Sequence, residues 1–293
     1  MRLFQGSGVA LITPFTKDGV DFPALGKLID RQIAGHTDAI ICCGTTGEPS
    51  TMTEAERAEV IRFTIERVGG RIPVIVSSGG NNTEVVIRHS MEAQKAGADG
   101  LLVVTPYYNK CTQNGLIAHY TAVADAVDIP IIVYNVPGRT GVNVQPQTLL
   151  QMSKHPNIRA IKEASGNIAQ FTEMQRLCGD TVAIYSGEDG LILPIMALGG
   201  QGVISVLANV VPEQTHALTQ AMLQGDLKTA RELQFQYNPL VDRLFCEVNP
   251  IPVKAACHAL GLCENIVRLP LTPMEEANRQ TLLQAMRACG LSV

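Results

Sequence analysis

The amino-acid sequence predicts an α/β protein that folds as a (β/α)8 TIM barrel with a C-terminal helical extension. Eight short, continuously apolar runs occur between residues 9 and 206, and such runs are typical of parallel strands covered on both faces. Stretches with helical periodicity separate them, and glycines end several of these stretches. Since eight strands close a barrel of this kind, we favour the barrel over an open doubly wound sheet.

The predicted strands are short and rich in Val, Ile and Leu. They are Val9–Ile12, Ala39–Cys43, Val74–Val76, Leu101–Val104, Ile131–Val133, Ile158–Ile161, Val182–Ile184 and Val203–Val206. The three-glycine fingerprint of an open dinucleotide-binding sheet follows none of these runs, which further disfavours that fold.

The clearest predicted helix between the strands is Thr53–Val68. Thr53 and Glu56 have the spacing of a capping box, in which each side chain accepts a hydrogen bond from a backbone N–H at the start of the helix. The apolar face that this segment predicts is formed by Ala58, Ile61, Ile65 and Val68.

Strand-like runs stop after about residue 225. Three helices separated by proline-rich turns are predicted there, over Leu227–Phe245, Pro252–Leu260 and Pro273–Cys289. We therefore assign residues 1–224 to the barrel and residues 225–293 to a C-terminal helical domain.

Composition excludes several classes of protein. Apolar residues make up 46% of the chain and charged residues 17%, which allows a large core and argues against wholesale disorder. A net charge of -4 disfavours nucleic acid and anionic membranes as partners. No apolar run approaches the roughly 18 residues of a membrane span, and the N-terminal run Val9–Ile12 is far shorter than the roughly 7–15 residues of a signal-peptide core. We expect a cytoplasmic protein.

Cysteine and histidine spacing points away from disulfides and metal. The chain has eight cysteines and six histidines, without a Cys-x-x-Cys, His-x-His or His-Glu-x-x-His pattern. We expect reduced thiols and no metal site.

A lysine stands at the end of the sixth predicted strand, where barrels carry their chemistry. Burial of Lys162 would favour the neutral amine that attacks a carbonyl. The alternative is an ordinary ion pair with the adjacent Glu163. Because neighbouring side chains in a strand face opposite ways, Glu163 should point outward while Lys162 points into the barrel.

Other strand ends carry residues suited to the same chemistry. Tyr134 could transfer a proton beside Lys162, or be a core tyrosine. Thr45 and Thr46 lie in a glycine-bracketed turn that could hold a carboxylate, or only shape the turn. Arg139 could bind a second carboxylate, although a solvated surface arginine is the simpler interpretation.

Together, six motifs resemble the dihydrodipicolinate synthase (4-hydroxy-tetrahydrodipicolinate synthase) family of pyruvate-dependent type I aldolases. They occur in the family's order and span essentially the whole chain. They are Gly44–Glu48, Val104–Asn109, Tyr134–Thr140, Ile161–Ala164, Asn249–Lys254 and Arg268–Pro273.

The resemblance implies a lyase that condenses pyruvate with L-aspartate 4-semialdehyde in diaminopimelate and lysine biosynthesis. Lys162 would form the Schiff base with pyruvate, and Tyr134 would be its proton donor and acceptor. Thr45 would relay protons between Tyr134 and Tyr108, the latter supplied by a neighbouring subunit. No cofactor is implied, because the iminium itself is the electron sink.

The same resemblance implies the substrate contacts and the assembly. Thr46 would hold the pyruvate carboxylate and Arg139 the carboxylate of the aldehyde, while Gly187 and Ile204 would line the pocket. A tyrosine shared between subunits makes activity depend on assembly, here a homotetramer formed as a dimer of dimers.

The lysine-binding regulatory site of the family is incomplete in this sequence. Asn81 and Tyr107 match it, but Arg57 replaces a histidine and Val85 replaces a glutamate. Glu84 is one residue away, about 100° around a helix. We expect feedback inhibition by lysine to be weak or absent.

Three alternatives remain at this point. A sister pyruvate aldolase, similar to N-acetylneuraminate lyase, would use another aldehyde, although the Gly-Arg pair ending at Arg139 favours the synthase. A non-catalytic sensor of pyruvate or lysine would have lost some strand-end residues. A phosphate-binding isomerase would place a glycine cup at Gly187 and Gly199–Gly202, and would leave Lys162 and Tyr134 without roles.

Overall fold

The computed structural model describes residues 3–293, and within them eight parallel strands form a closed barrel. Each strand pairs with its sequence neighbours, and the first pairs with the last. The strands are β1 Gly6–Ala10, β2 Ala39–Cys42, β3 Val74–Ser77, β4 Gly100–Val104, β5 Ile131–Asn135, β6 Ile158–Glu163, β7 Ala183–Ser186 and β8 Gly202–Ser205. Phe15–Thr16 and Gly19–Val20 form a small antiparallel hairpin beside the barrel. The predicted barrel is confirmed.

The strands extend beyond their apolar runs at two places that matter for the site. β5 continues to Asn135 and β6 to Glu163, so Tyr134 and Lys162 lie inside strands rather than after them. The apolar runs ended earlier because the last inward-facing side chains are polar. β1 likewise begins at Gly6 instead of Val9.

Helices surround the barrel and continue beyond it. They are α1 Phe22–Ala34, α2 Glu54–Val68, α3 Thr83–Ala96, α4 Gln113–Asp125, α5 Pro137–Thr140, α6 Pro146–Met152, α7 Ile168–Cys178, α8 Ile192–Ala197, α9 Pro212–Leu223, α10 Leu227–Leu244, α11 Ile251–Ala259 and α12 Glu276–Ala288. The last three correspond to the helices predicted after the barrel. No helix in residues 3–293 has the length and apolar character needed to cross a bilayer.

Helix α2 begins as predicted, and Ile61, Ile65 and Val68 of its predicted apolar face pack on the core, but Ala58 does not. Thr53 caps it, and Glu56 completes the capping box. Ala58 is exposed, whereas Val60 and Thr64 are buried beside Ile61 and Val68. The prediction for Ala58 was wrong because the buried stripe is shifted toward Arg57, Val60 and Thr64.

Two apolar layers hold the fold together. The larger lies between the strands and the helices. The smaller fills the barrel with inward-facing side chains, among them Ile41, Leu102, Ile132 and Ile204. Phe4 precedes β1 and stacks on Tyr185 with ring centroids 4.3 Å apart, which closes the barrel at its N-terminal end. The opposite end is left for the site.

Candidate active site

Strand register brings the predicted lysine and tyrosine together. Tyr134 in β5 pairs directly with Lys162 in β6, and the Lys162 Nζ atom lies 4.4 Å from the centroid of the Tyr134 ring. Glu163 points to the other face of the sheet, as predicted. Its carboxylate is buried there and accepts hydrogen bonds from Asn135 Nδ2 at 2.9 Å and Ser165 N at 2.8 Å. The adjacent glutamate is therefore not the partner of Lys162.

The two side chains open into a cavity of about 750 Å³ at the C-terminal end of the barrel. Of the residues predicted for the site, six line this cavity: Thr45, Thr46, Tyr134, Arg139, Lys162 and Gly187. Further lining residues that received no role from the sequence include Glu188, Asp189, Asn238, Asp242 and Asn249. The cavity is thus built from both the barrel and the helical extension.

Lys162 is suited to act as a neutral amine. It is only 5% exposed, and its burial lowers its pKa to about 8, with the charge of Arg139 acting in the same direction and that of Asp189 opposing both. About half of the amine is therefore uncharged near pH 8.

Asp189 is the nearby carboxylate that sequence analysis did not single out. It is buried and accepts hydrogen bonds from Ser205 Oγ at 2.5 Å, Val206 N at 3.0 Å and Leu207 N at 2.9 Å. Burial raises its pKa, and these hydrogen bonds and Lys162 oppose that rise. Asp189 thus places a negative charge near Lys162, while its carboxylate oxygens are hydrogen-bonded to Ser205 and to the backbone of the loop after β8.

The phenol of Tyr134 is placed for proton transfer. Burial raises its pKa, whereas the charge of Arg139 and a hydrogen bond with Thr45 lower it. Thr45 begins the 3₁₀ turn Thr45–Gly47 that follows β2. The tyrosine therefore has a hydroxyl neighbour on one side and the lysine amine over its ring.

Asn249 lies between α10 and α11 of the helical extension and contacts both Thr46 and Arg139. Its Nδ2 atom donates to Thr46 Oγ1 at 2.9 Å, and its carbonyl accepts from Arg139 Nη2 at 3.3 Å. Arg139 itself is exposed at the rim. The sequence placed Asn249 only in a motif, and its position beside Thr46 depends on a contact across 203 residues.

A buried ion pair joins the helical extension to Glu48, the residue that follows the Thr45–Gly47 turn. Lys254 Nζ lies 2.5 Å from Glu48 Oε1, with the side chains 0% and 1% exposed. The same ammonium donates to the carbonyl of Ile266 at 2.7 Å, and Arg268 N donates to Glu48 Oε2 at 3.2 Å. Of the two buried lysines Lys162 and Lys254, only Lys254 has a carboxylate in hydrogen-bond contact.

Three predicted site residues differ in how they relate to the cavity. Gly187 lines it, and a Cβ atom there would lie 2.5 Å from the Cβ of Ala164, so a larger residue would not fit. Ile204 is fully buried in the inner barrel core and is not among the lining residues. Tyr108 has a φ of 71° and is 90% exposed, outside the cavity of its own chain.

The residues predicted for a lysine site do not form one bonded cluster. Arg57 is buried and donates to the carbonyl of Ser77 at 2.9 Å. The carbonyl of Asn81 accepts from Asn109 Nδ2 at 2.8 Å, and Tyr107 is 42% exposed. Glu84 is exposed beside a separate groove along α3. Within the described part of the chain, no hydrogen bond or ion pair joins Glu84 to Arg57.

Cysteines and metal-binding groups add little to this geometry. All eight cysteines are free thiols. No group of three His, Cys, Asp or Glu side chains in residues 3–293 is arranged to hold a metal ion.

Comparison with known proteins gives one consistent result. The sequence profile of the Dihydrodipicolinate synthetase family matches residues 3–289. A 4-hydroxy-tetrahydrodipicolinate synthase of Caldicellulosiruptor bescii is 56% identical over 294 residues, covering 100% of this chain and 99% of the relative. The crystal structure of dihydrodipicolinate synthase from Aquifex aeolicus has a TM-score of 0.96 and 47% identity, covering 98% and 99% of the two chains. A structure described as the first monomeric dihydrodipicolinate synthase variant has a TM-score of 0.98 and 41% identity, covering 99% and 98%.

Proposed function

The chain belongs to the Dihydrodipicolinate synthetase family, and from this premise we propose how its residues carry out the reaction. The activity is that of a 4-hydroxy-tetrahydrodipicolinate synthase, a lyase of diaminopimelate and lysine biosynthesis. It condenses pyruvate with L-aspartate 4-semialdehyde to (2S,4S)-4-hydroxy-2,3,4,5-tetrahydrodipicolinate. The observation that carries the assignment of residues is a buried lysine without a bonded carboxylate, paired in register with a tyrosine at the mouth of the barrel.

In the first step, the neutral amine of Lys162 attacks the carbonyl carbon of pyruvate. A proton moves from nitrogen to oxygen, and Tyr134 protonates the hydroxyl that leaves as water, which gives the iminium. The iminium then accepts the electrons of a C3–H bond as its proton is removed, and an enamine results. The support is the position of the amine, 4.4 Å from the Tyr134 ring centroid.

The pyruvate carboxylate binds in the turn of Thr45 and Thr46. Thr46 is buried and held by Asn249, and exposed N–H groups in such turns bind anions. Thr45 passes protons between Tyr134 and Tyr108 of a neighbouring subunit. This part of the proposal is supported by the hydrogen bond of Thr45 with Tyr134 and by the exposure of Tyr108 on its own chain.

In the second step, the enamine carbon attacks the aldehyde carbon, and the aldehyde oxygen takes a proton to become a hydroxyl. The α-ammonium group of the bound aldehyde loses one proton and attacks the iminium carbon as the neutral amine, and a second proton then passes from this nitrogen to the nitrogen of Lys162. The bond to Lys162 breaks, and the lysine leaves as an amine when the ring closes. Arg139 holds the carboxylate of the aldehyde at the rim, a task suited to its fork of N–H donors.

Assembly follows from the shared tyrosine. We assign a homotetramer, formed as a dimer of dimers, in which each Tyr108 serves the neighbouring cavity. A groove of about 620 Å³ beside Tyr108 also contains Arg139 and Lys110, so a partner seated there would lie next to the rim. The monomeric variant among similar structures makes the assembly state a property to be measured on this chain.

Regulation, domain division and location complete the proposal. Lysine inhibits weakly or not at all, because Val85 stands where the family has a glutamate and Arg57 adds a cation nearby, while Glu84 lines a separate groove along α3. Residues 1–224 form the catalytic unit and residues 225–293 the helical one. The protein is cytoplasmic, in line with its eight free thiols.

The direct test mixes the purified protein with pyruvate and L-aspartate 4-semialdehyde and detects the cyclic product by mass spectrometry. Product that requires both substrates is the expected result. A folded protein that makes none, but is still trapped on pyruvate by borohydride, would contradict the choice of aldehyde and the role of Arg139.

A further inference from the structure

Glu188 is an acid in the wall of the catalytic cavity whose carboxylate has no bonded partner. Its backbone is fixed, because its carbonyl accepts from Ser186 Oγ at 2.7 Å and its N–H donates to the same hydroxyl at 3.2 Å. The side chain lines the cavity and is half-buried. Within residues 3–293, no hydrogen bond or ion pair satisfies its carboxylate. A half-buried acid of this kind is in a position to bind a cation.

The neighbouring acid Asp189, in contrast to Glu188, has a carboxylate that is already hydrogen-bonded. Asp189 uses its carboxylate on one hydroxyl and two backbone N–H groups, so it has little capacity left for a ligand. Burial raises the pKa of Glu188, and the negative charges of Glu163 and Asp189 raise it further. The charge of Glu188 in turn raises the pKa of the Tyr134 phenol. Glu188 therefore lies close to the reacting groups and lacks a compensating positive charge.

The second substrate supplies that charge, an argument that rests on the function proposed above. L-Aspartate 4-semialdehyde carries an ammonium and a carboxylate on the same carbon atom. Arg139 is the cation at the rim for the carboxylate, and leaving the ammonium unpaired in a half-buried cavity would be costly. We propose that Glu188 is a specificity-determining residue that binds the α-ammonium group of the amino aldehyde.

This assignment gives the substrate three points of attachment. The carboxylate binds Arg139, the ammonium binds Glu188, and the aldehyde carbon faces the enamine on Lys162. Three different groups fixed around one carbon atom distinguish its two mirror-image forms, so the same contacts select the L-enantiomer. An aldehyde with only the carboxylate would satisfy Arg139 and leave Glu188 unused.

The test compares two ligands that differ only in the ammonium group. Steady-state kinetics give kcat/KM for L-aspartate 4-semialdehyde, and succinic semialdehyde is measured as a competitive inhibitor against it. In Glu188→Gln we expect kcat/KM for the amino aldehyde to fall about 10-fold to 100-fold, the effect of a charge-assisted hydrogen bond. The inhibition constant of succinic semialdehyde should change by less than about threefold.

Asp242→Asn is the matched control. Asp242 is an exposed acid of α10 that lines the same cavity, so this variant removes an equal charge without removing the proposed contact. The ratio between the two ligands should change by less than about threefold in this variant. Glu188→Asp keeps the charge on a shorter side chain and should lie between wild type and Glu188→Gln. It serves as the test variant if the glutamine variant does not fold.

Each outcome decides the matter. Equal weakening of both ligands in Glu188→Gln, or unchanged kcat/KM, would overturn the role of Glu188, as would an equal effect of Asp242→Asn. Borohydride trapping of pyruvate on each variant shows that Lys162 and its surroundings are intact. If the wild-type protein makes no product from the two substrates, the proposed function fails instead, and this is seen before any variant is compared.

Discussion

The buried ion pair between Lys254 and Glu48 offers the sharpest test of how the helical extension supports the site. Both side chains are essentially inaccessible, so Lys254→Met leaves the Glu48 carboxylate charged, buried and without its main partner. Removing one member of such a pair costs about 3–5 kcal/mol. With about 2.1 cal/mol/K of unfolding entropy per residue and 293 residues, this corresponds to a decrease in Tm of about 5–8 °C.

Thermal unfolding by circular dichroism measures this change, and two further variants make it specific. Lys254→Met with Glu48→Leu removes both buried charges and should recover much of the loss, since an apolar pair of similar volume is often as stable. Arg62→Met breaks an exposed pair with Glu66, whose side chains are 58% and 60% exposed, and should cost only about 0.2–0.5 kcal/mol. Equal Tm values for Lys254→Met and Arg62→Met would refute the reasoning.

Three further predictions concern catalysis and regulation. Lys162→Ala should abolish trapping of pyruvate by borohydride, whereas Tyr134→Phe should slow turnover by about 10²–10⁴ and remain trappable; adduct on Lys162→Ala would mean that another residue is the nucleophile. Because the pKa of Lys162 is lowered to about 8, kcat/KM for pyruvate should rise about tenfold per pH unit below that value and then level off, and a flat profile from pH 6 to 8 would contradict this. Lysine titrated into a steady-state assay should not reach half-maximal inhibition below 1 mM, as roughly expected of a site in which Arg57 repels the ligand; inhibition at lower concentration would show that the effector site works.

Local patterns were sufficient to predict the barrel and to place Tyr134 and Lys162 at the ends of neighbouring strands, whereas the roles of these two residues were implied by the resemblance to the family. A parallel strand covered on both faces is apolar along its length, so the eight runs marked the strands without any knowledge of their partners. The period of two in a strand separated Lys162 from Glu163 before either was placed. The positions of residues that depend only on their own strand could therefore be predicted from the sequence.

Contacts between segments that are distant in the sequence could not be predicted in the same way. Asn249 reaches Thr46 across 203 residues, and Lys254 reaches Glu48 across 206. Neither pairing leaves a periodic signal, because one polar side chain in a helix looks the same whether it meets solvent or a buried acid. Asp189 and Glu188 were equally ambiguous, since only the folded loop shows which acid is bonded and which is free.

Lys162 and Lys254 are both buried but differ in what their amines contact. Both are buried, and burial lowers the pKa of each. Lys254 meets Glu48 and the carbonyl of Ile266, which stabilise its ammonium and occupy its donors. Lys162 faces a cavity and the ring of Tyr134, with Asp189 engaged by other donors. Lys162 is distinguished by the lack of a bonded acceptor, whereas the buried pair of Lys254 and Glu48 lies next to the Thr45–Gly47 turn that lines the cavity of Lys162.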